Sequence, residues 1–428
     1  MIVRQRFPAG PDREVSDLLA DMSGDVPDGP LTVGDPRVAD FLAAFGRALL
    51  DPALIRRHPE LAPLGFFLRR AELDAQLARL AASDAGADPG AETGARVLRF
   101  PRGLVFHIPP ANVDTIFVYA WALAALTGNR NIVRVSPRSG AAAERVLDLL
   151  ATALAEAHPA LAATQRMITY DRDDRVTEAL SAACDLRVVW GGDHSVAAVR
   201  RTPLPPAARD LVFPDRSSFA VLSAAAWLAA DDIDRDQAAL GLYNDSYWFD
   251  QAACASPRAL YWVGDPALAA EARRDLFHRL AELIAARGGA PEPAMAVHKR
   301  VAAYGEAARG RVTRMAFAAD EALAVLDLAD PHDAPRDWLG AGTFPTATVA
   351  RLTDLAPILR RRDQTLSHFG FTRAELAEFA HAAGGRGIDR IVPIGAALSF
   401  APIWDGYDLP HEFTRLTTVT ARTAQARR

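Results

Sequence analysis

Gly103-Leu104-Val105-Phe106-His107-Ile108-Pro109-Pro110, continued by the apolar stretch Val113 to Leu126, by Gly128 and by Asn131 to Val135, decides the fold of this chain. The first run is short, apolar and closed by prolines, the pattern of a buried strand. Proline donates nothing to a central ladder, so the strand ends at Ile108. Val113 to Leu126 is apolar all round, which predicts a buried helix rather than a surface one, and Gly128 is a helix-ending residue type. A second strand follows at Asn131 to Val135. Strand, helix, strand at this spacing predicts a parallel pair joined by a crossover helix.

The alternation continues outward. Gly140 to His158 is an amphipathic helix pattern, Gln165 to Tyr170 a strand, Arg175 to Ala183 a helix and Leu186 to Trp190 a strand. These units predict an α/β domain with a doubly wound, Rossmann-like sheet. Upstream, residues 1–90 mix turns with helical patterns at Val38 to Leu50 and Phe66 to Ala82, and Ala85 to Thr93 reads as a loop. Downstream, a proline-rich linker at Thr202 to Pro206 leads to a strand at Ser218 to Leu222 and a helix from Ile233 to about Tyr243. A second α/β region follows: helix Ala267 to Arg287, strand Thr346 to Leu352, helix Arg373 to Ala383 and strand Ile388 to Pro393. The tail from Glu412 alternates polar and apolar residues like an edge strand suited to subunit contact. The expected division is 1–224 for the N-terminal helices and dinucleotide-binding domain and 225–400 for a catalytic domain. A segment 401–428 would return to the cofactor domain or to a subunit interface.

At 428 residues the chain exceeds a single small core. Half of it is hydrophobic and 24% is charged, ordinary for a globular protein. A net charge of −5 makes no case for nucleic-acid binding. Two cysteines, Cys184 and Cys254, exclude a disulfide framework and suit a reducing cytoplasm. No apolar core of signal-peptide length precedes Pro8 and Gly10. The longest apolar run, Ile116 to Leu126, falls well short of the roughly 20 residues that span a bilayer. A homodimer or higher homo-oligomer is the expected assembly, since closed two-fold assemblies are the commonest. No metal is expected.

Four places hold candidate chemistry. In Asp250-Gln251-Ala252-Ala253-Cys254-Ala255-Ser256-Pro257-Arg258, small residues flank a thiol placed just before the β-rich run Ala259 to Val263. That suits a covalent nucleophile, but a buried structural cysteine fits as well. No cation lies within three residues of Cys254, so activation would have to come from the fold. Asn112, between a strand and a helix, could cap that helix or aim its amide at a carbonyl oxygen gaining charge. Arg134 and Ser136 close a strand, where a cation and a hydroxyl suit a nucleotide ribose or its phosphate, or simply a solvated strand end. Gly191 and Gly192, after Trp190 and before a helix, would let backbone N–H groups approach a pyrophosphate. Neither G-x-G-x-x-G nor a Walker A motif occurs.

Taken in order, these stretches resemble the LuxC family, acyl-CoA reductases of the aldehyde dehydrogenase superfamily. The resemblance runs from about residue 58 to 415 through His58-Pro59-Glu60-Leu61, residues 103–113, Thr127-Gly128-Asn129-Arg130-Asn131-Ile132-Val133-Arg134-Val135-Ser136, Val189-Trp190-Gly191-Gly192, residues 250–257, Arg390-Ile391-Val392-Pro393-Ile394-Gly395 and Trp404-Asp405-Gly406-Tyr407-Asp408-Leu409. It implies an aldehyde-dehydrogenase-like fold: a Rossmann-like cofactor domain, an α/β catalytic domain and a small oligomerisation element. It implies that Cys254 is acylated, that Asn112 holds the oxyanion, and that Arg134, Ser136, Gly191 and Gly192 bind the dinucleotide. Where oxidising relatives carry a glutamate base in E-L-G-G-K, this chain has Val212-Phe213-Pro214-Asp215-Arg216, which favours the reductive direction, with Asp210 and Asp215 nearby in sequence.

The expected activity is NADPH-dependent reduction of an acyl thioester, from acyl-CoA or an acyl carrier protein, to an aldehyde through S-acyl-Cys254. NADH is the alternative donor, because lysine stands at the Arg134 place in NAD-dependent relatives. His107 is either a proton donor or a buried hydrogen-bonded histidine. Tyr119, Trp121 and residues 243–249 are the expected walls of an acyl pocket. An oxidative aldehyde dehydrogenase and an inactive scaffold of the same fold remain the competing readings.

Overall fold

A computed structural model describes residues 1–86, 95–110, 116–171, 173–287 and 291–420. The chain divides into two compact units, Met1–Pro214 together with Phe400–Arg428, and Asp215–Ser399.

The first unit is built on β1 (Ile2–Phe7), β2 (Arg13–Glu14), β3 (Ala95–Pro101), β4 (Leu104–Ile108), β5 (Arg130–Arg134), β6 (Gln165–Thr169), β7 (Leu186–Trp190) and β8 (Arg209–Phe213). Seven of these strands form one sheet in the order β2-β1-β6-β5-β4-β7-β8. From β6 to β8 neighbouring strands are parallel, and β1 adds an antiparallel edge beside β6. The chain runs outward from β4 through β5 to β6, then returns to lay β7 on the other side of β4. That reversal puts a topological switch point at the carboxyl ends of β4 and β7, the ligand position of open α/β sheets.

The crossover helix Ile116–Leu126 is buried at every residue, which is why its sequence shows no polar face. Gly128 ends it at φ 84°. A Cβ there would come within 2.7 Å of the Thr32 carbonyl oxygen, so the close approach of two backbones requires glycine. Trp121 meets Phe7 and Phe41 edge-on at 6.4 and 6.3 Å and donates from Nε1 to Gln165 Oε1 at 2.8 Å. Tyr119 is buried and donates to the Ala401 carbonyl. Both residues are core, and the expectation that they wall an acyl pocket is corrected: a helix apolar on all sides has no face left for a ligand.

The tail closes this unit. Thr414–Thr420 pairs antiparallel with β3 in a separate two-stranded sheet. Asn129 holds the approach to that pair, accepting from Gly103 N at 3.0 Å and donating to the Phe413 carbonyl at 2.8 Å.

The second unit holds β9 (Ser217–Ser223), β10 (Pro257–Val263), β11 (Val312–Ala318), β12 (Leu323–Leu328), β13 (Thr343–Val349), β14 (Asp363–Phe369) and β15 (Arg390–Pro393). They order as β11-β12-β13-β10-β9-β14-β15, parallel except for the edge strand β11. Ala220, Leu222, Leu260 and Trp262 face the helices Ala224–Ala229, Asp232–Tyr247 and Pro266–Ala286. Phe219, Val221, Ala259 and Tyr261 face the turn Leu352–Ile358 and the helix Arg373–Ala383. Both faces are covered, so these strands read as continuous apolar runs. The units divide before β9 rather than after residue 224, because β9 lies between β10 and β14 and belongs to their ladder. Among the described residues, no helix is long and apolar enough to cross a membrane.

Candidate active site

Cys254 sits on the turn between the helix Asp232–Tyr247 and β10, at the amino ends of β10, β9 and β14. Two consecutive residues before it, Asp250 and Gln251, have φ of 51° and 54°. Non-glycine residues in that region each store strain on the order of 1–3 kcal/mol, so the surroundings must hold them. They do. Gln251 is 1% exposed; its Nε2 donates to the Pro257 carbonyl at 2.8 Å and its Oε1 accepts from Thr343 N at 3.0 Å. Trp338 Nε1 donates to the Asp250 carbonyl at 2.7 Å. Arg258 folds back from β10 and donates to the carbonyls of Gln251 and Ala252 at 3.2 and 3.3 Å.

The cysteine itself is tied to two strands. Ser218 Oγ donates to the Cys254 carbonyl at 2.6 Å and accepts from Thr365 N at 3.1 Å. Next to Thr365, Gln364 places Nε2 3.5 Å from Cys254 Sγ. Cys254 is half-buried rather than enclosed, which leaves room for a carbonyl carbon to approach while its backbone stays pinned.

Charge is arranged around the turn in pairs. Arg336 and Asp363, 6% and 0% exposed, form a buried two-point pair at 3.0 Å through both Nε and Nη2. Arg362 pairs with Asp215, and with Asp337 at 3.2 Å. Burial pushes the Arg258 guanidinium below its ordinary range, and the negative charges of Asp215 and Cys254 pull it back up. Burial also raises the Asp250 carboxyl, with Glu292 adding to it. A cavity of about 570 Å³ lies behind Arg336 and Arg362. Cys254 is not on its wall, so it is not the place of the thiol chemistry.

The nucleotide candidates gather at the carboxyl ends of the first unit's strands. Arg134 ends β5 with its guanidinium 4.8 Å from the centre of the Tyr170 ring. Among the described residues it has no ion-pair partner, and Nε is buried without one. A cation stacked on an aromatic face and lacking a carboxylate is available to an anionic ligand. Ser136 Oγ accepts from Arg138 N at 3.2 Å, leaving its proton to donate elsewhere. Gly191 donates to the Phe213 carbonyl at 3.1 Å, and Gly192 starts the helix Asp193–Arg200. A Cβ on Gly192 would meet nothing within 4 Å. Packing within the protein does not require glycine there, and close approach by a phosphate would. Trp190 and Phe213 stack beside this turn at 3.7 Å.

Two sequence candidates fall elsewhere. His107 is 2% exposed and its Nε2 pairs with Asn131 Oδ1 at 2.9 Å, in a buried network with Gln165 and Trp121. Burial pushes its pKa down to about 4. It is a neutral core histidine, and the proton-donor role is corrected: an enclosed ring cannot exchange protons with a departing thiol. Because the folded pKa lies below the ordinary 6.5, the neutral ring contributes stability above pH 6.5, lost as pH falls toward 4. His107→Gln is expected to remove about 3 kcal/mol of that acid loss, read by denaturant unfolding across this window. Cys184 is buried beside the Ser181 carbonyl, and burial pushes its thiol up to about 12, so it is inert. Asn112 lies outside the described residues.

Val212 is a half-buried side chain of β8. Of the nearby carboxylates, Asp210 is held by Arg187 at 2.7 and 3.0 Å and Asp215 by Arg362. Neither is placed as a free base. Gln364, Arg258, Ser218 and Trp338 escape sequence reading, because each reaches the turn from another strand or loop. The available signal was the polar run Asp363-Gln364-Thr365, buried although it opens a strand.

The family model described as acyl-CoA reductase (LuxC) matches residues 68–301, more than half of the chain. The chain belongs to the LuxC family. Among curated LuxC-type relatives, the long-chain acyl-protein thioester reductase of Aliivibrio fischeri is 27% identical over 167 residues, covering 39% of this chain and 33% of that protein. That of Vibrio harveyi is 29% identical over 174 residues, covering 40% and 34%. The chain thus spans about a third of the length of the curated relatives it matches. In fold, this LuxC-family chain is similar to aldehyde dehydrogenase 21 of Physcomitrella patens, with a TM-score of 0.65, 10% identity and coverage of 97% of this chain and 92% of that one. It is also similar to an NAD-dependent aldehyde dehydrogenase of Sinorhizobium meliloti, with a TM-score of 0.62, 15% identity and coverage of 97% and 88%. The fold is that of the aldehyde dehydrogenases.

Proposed function

We propose that the chain reduces an acyl thioester to an aldehyde, carrying the acyl group on Cys254 and using NADPH. The observation that carries this reading is a partly exposed thiol on a strained, fully pinned turn with an amide donor at its sulfur, in a chain of the acyl-CoA reductase family.

The Cys254 thiolate attacks the thioester carbonyl. The tetrahedral oxyanion collapses, the carbon–sulfur bond to the carrier breaks, and the carrier leaves as a thiol after taking a proton. The acyl group is now a thioester of Cys254, a bond of the same kind as the one broken. When bound, a nicotinamide dinucleotide would supply a hydride. The carbonyl carbon of S-acyl-Cys254 would accept it to give a thiohemiacetal oxyanion, whose collapse breaks the carbon–sulfur bond, releases the aldehyde and returns the Cys254 thiolate. Water must not attack the acyl-enzyme, and the sequence carries Val212 where the resemblance places the glutamate base of oxidising relatives.

Arg134, Ser136, Gly191 and Gly192 fit the dinucleotide: a cation for a 2′-phosphate, a hydroxyl for ribose and an open glycine turn for pyrophosphate. A structural neighbour from Mycobacterium tuberculosis is complexed with NAD+, which supports a nicotinamide cofactor. Arg134→Ala is expected to raise KM for NADPH about 10- to 100-fold, the worth of a charge-assisted hydrogen bond to phosphate, with little change for NADH. Equal changes for both would count against a 2′-phosphate contact.

The donor is a CoA or carrier-protein thioester. A panel from acetyl-CoA to palmitoyl-CoA, with acyl carrier protein thioesters alongside, tests the reading by NADPH consumption and aldehyde formation in equal amounts. No aldehyde with any donor would refute it. An oxidative aldehyde dehydrogenase would instead form acid from aldehyde and NADP+ without CoA. Exposed Phe100, Leu416 and Val419 on the two-stranded sheet favour contact with a second copy of the chain.

A further inference from the structure

We propose that Gln364 is a catalytic residue that holds the Cys254 sulfur as a thiolate and aims it, through a hydrogen bond from its side-chain amide. This rests on Cys254 being the nucleophile.

The amide has one sensible orientation. Thr365 Oγ1 donates to Gln364 Oε1 at 3.4 Å, which turns Nε2 toward Sγ at 3.5 Å. Reversed, the carbonyl oxygen would face the sulfur and repel a thiolate. The amide cannot drift, because Gln364 is 1% exposed and its backbone carbonyl accepts from Asp389 N at 2.8 Å. The backbone that carries the sulfur is fixed too. Ser218 Oγ binds both Thr365 N and the Cys254 carbonyl, so strand β14 and the cysteine turn share one anchor.

The reason for a neutral donor lies in the charges that surround it. Asp215, Asp337 and Asp363 are each paired with an arginine, and Arg336 with Asp363. Asp250 is held toward its neutral form by burial. Arg258 is the cation that senses Cys254, but it acts from behind the turn with its donors on the Gln251 and Ala252 carbonyls. A thiol ordinarily titrates near 8.5. An N–H aimed at the sulfur favours the charged form directly, and it does so without a cation that would need to be desolvated with every substrate.

The role also suits the reaction. The same amide faces the sulfur when Cys254 leaves the collapsing thiohemiacetal, so it stabilises the thiolate both as nucleophile and as leaving group.

The test is the pH dependence of carbamidomethylation of the full chain by iodoacetamide, with peptide mass spectrometry separating Cys254 from Cys184. Gln364→Leu is expected to move the alkylation midpoint of Cys254 upward by about one pH unit, the scale of one hydrogen bond to a charged group. Gln364→Glu keeps the shape, so it reports even if the leucine variant does not fold, and its carboxylate should move the midpoint up further. A midpoint unchanged in both variants would overturn the proposal. The readout uses neither thioester nor cofactor. Failure of the proposed reaction with every donor, alongside a shifted midpoint, would therefore discard the function and keep the role of Gln364.

Discussion

Cys254→Ala is expected to abolish covalent acylation and to lower aldehyde formation by on the order of 10⁴-fold or more, the scale seen when a catalytic nucleophile is removed. The expectation follows from geometry. The substitution deletes one atom from a side chain that is partly exposed, and it leaves the backbone contacts of residue 254 with Ser218 untouched. The turn should therefore keep its shape, with Asp250 and Gln251 still held by Trp338, Thr343 and Pro257. Stability close to wild type together with lost chemistry is the expected combination. The decisive measurement is labelling with a radioactive acyl-CoA in the absence of reductant, followed by denaturation. Wild type should retain about one acyl group per chain, and Cys254→Ala none. Equal labelling of the two proteins would end the covalent reading, since Cys184 is buried with its thiol held protonated.

Asp363→Ala is expected to be the most destabilising single change in the second unit, by about 3–5 kcal/mol, because it strands a buried charge. Asp363 is fully buried and its carboxylate takes two donors from Arg336 and one from Arg360 N at 2.8 Å. Arg336 is 6% exposed, and its remaining donors go to the carbonyls of Ala334 and Ile358. Without Asp363 the guanidinium keeps those contacts and has no counter-charge. Denaturant unfolding followed by tryptophan fluorescence should show the loss, and a change below about 1 kcal/mol would mean the pair is solvated. The double variant Arg336→Met with Asp363→Leu should recover much of the stability, because a buried pair often replaces well with apolar groups. Activity should not recover with it. Asp363 precedes Gln364, and shifting the start of β14 would move the amide from the sulfur.

The first sheet was readable because its signals are local. Strands 104–108 and 186–190 are mostly apolar, broken only by His107 and Arg187, and the buried helix between 116 and 126 is apolar throughout; all are closed by proline or glycine, so length and boundary residues suffice. The strand β14 was not readable. It opens on Asp363-Gln364-Thr365, which in isolation reads as a turn. These residues are buried with their polar atoms satisfied in part by Arg336 and Ser218, which lie 27 and 147 residues away in sequence. His107 misled in the opposite direction. Beside a candidate loop it could be a proton donor or a buried hydrogen-bonded histidine, and its pairing with Asn131 on the neighbouring strand β5 makes it core.

By itself the sequence determined the α/β architecture and the kinship with acyl-CoA reductases, and it singled out Cys254 as a candidate nucleophile. Apolar periodicity and ordered motifs are carried along the chain and survive without coordinates. Only the tertiary structure decided what surrounds the thiol: an amide from β14 at the sulfur, a hydroxyl from β9 on the Cys254 carbonyl and a guanidinium from β10 on the Gln251 carbonyl. Hydrogen bonds between side chains depend on angstrom-scale placement of strands that sequence separates by more than a hundred residues, and no local pattern encodes that placement.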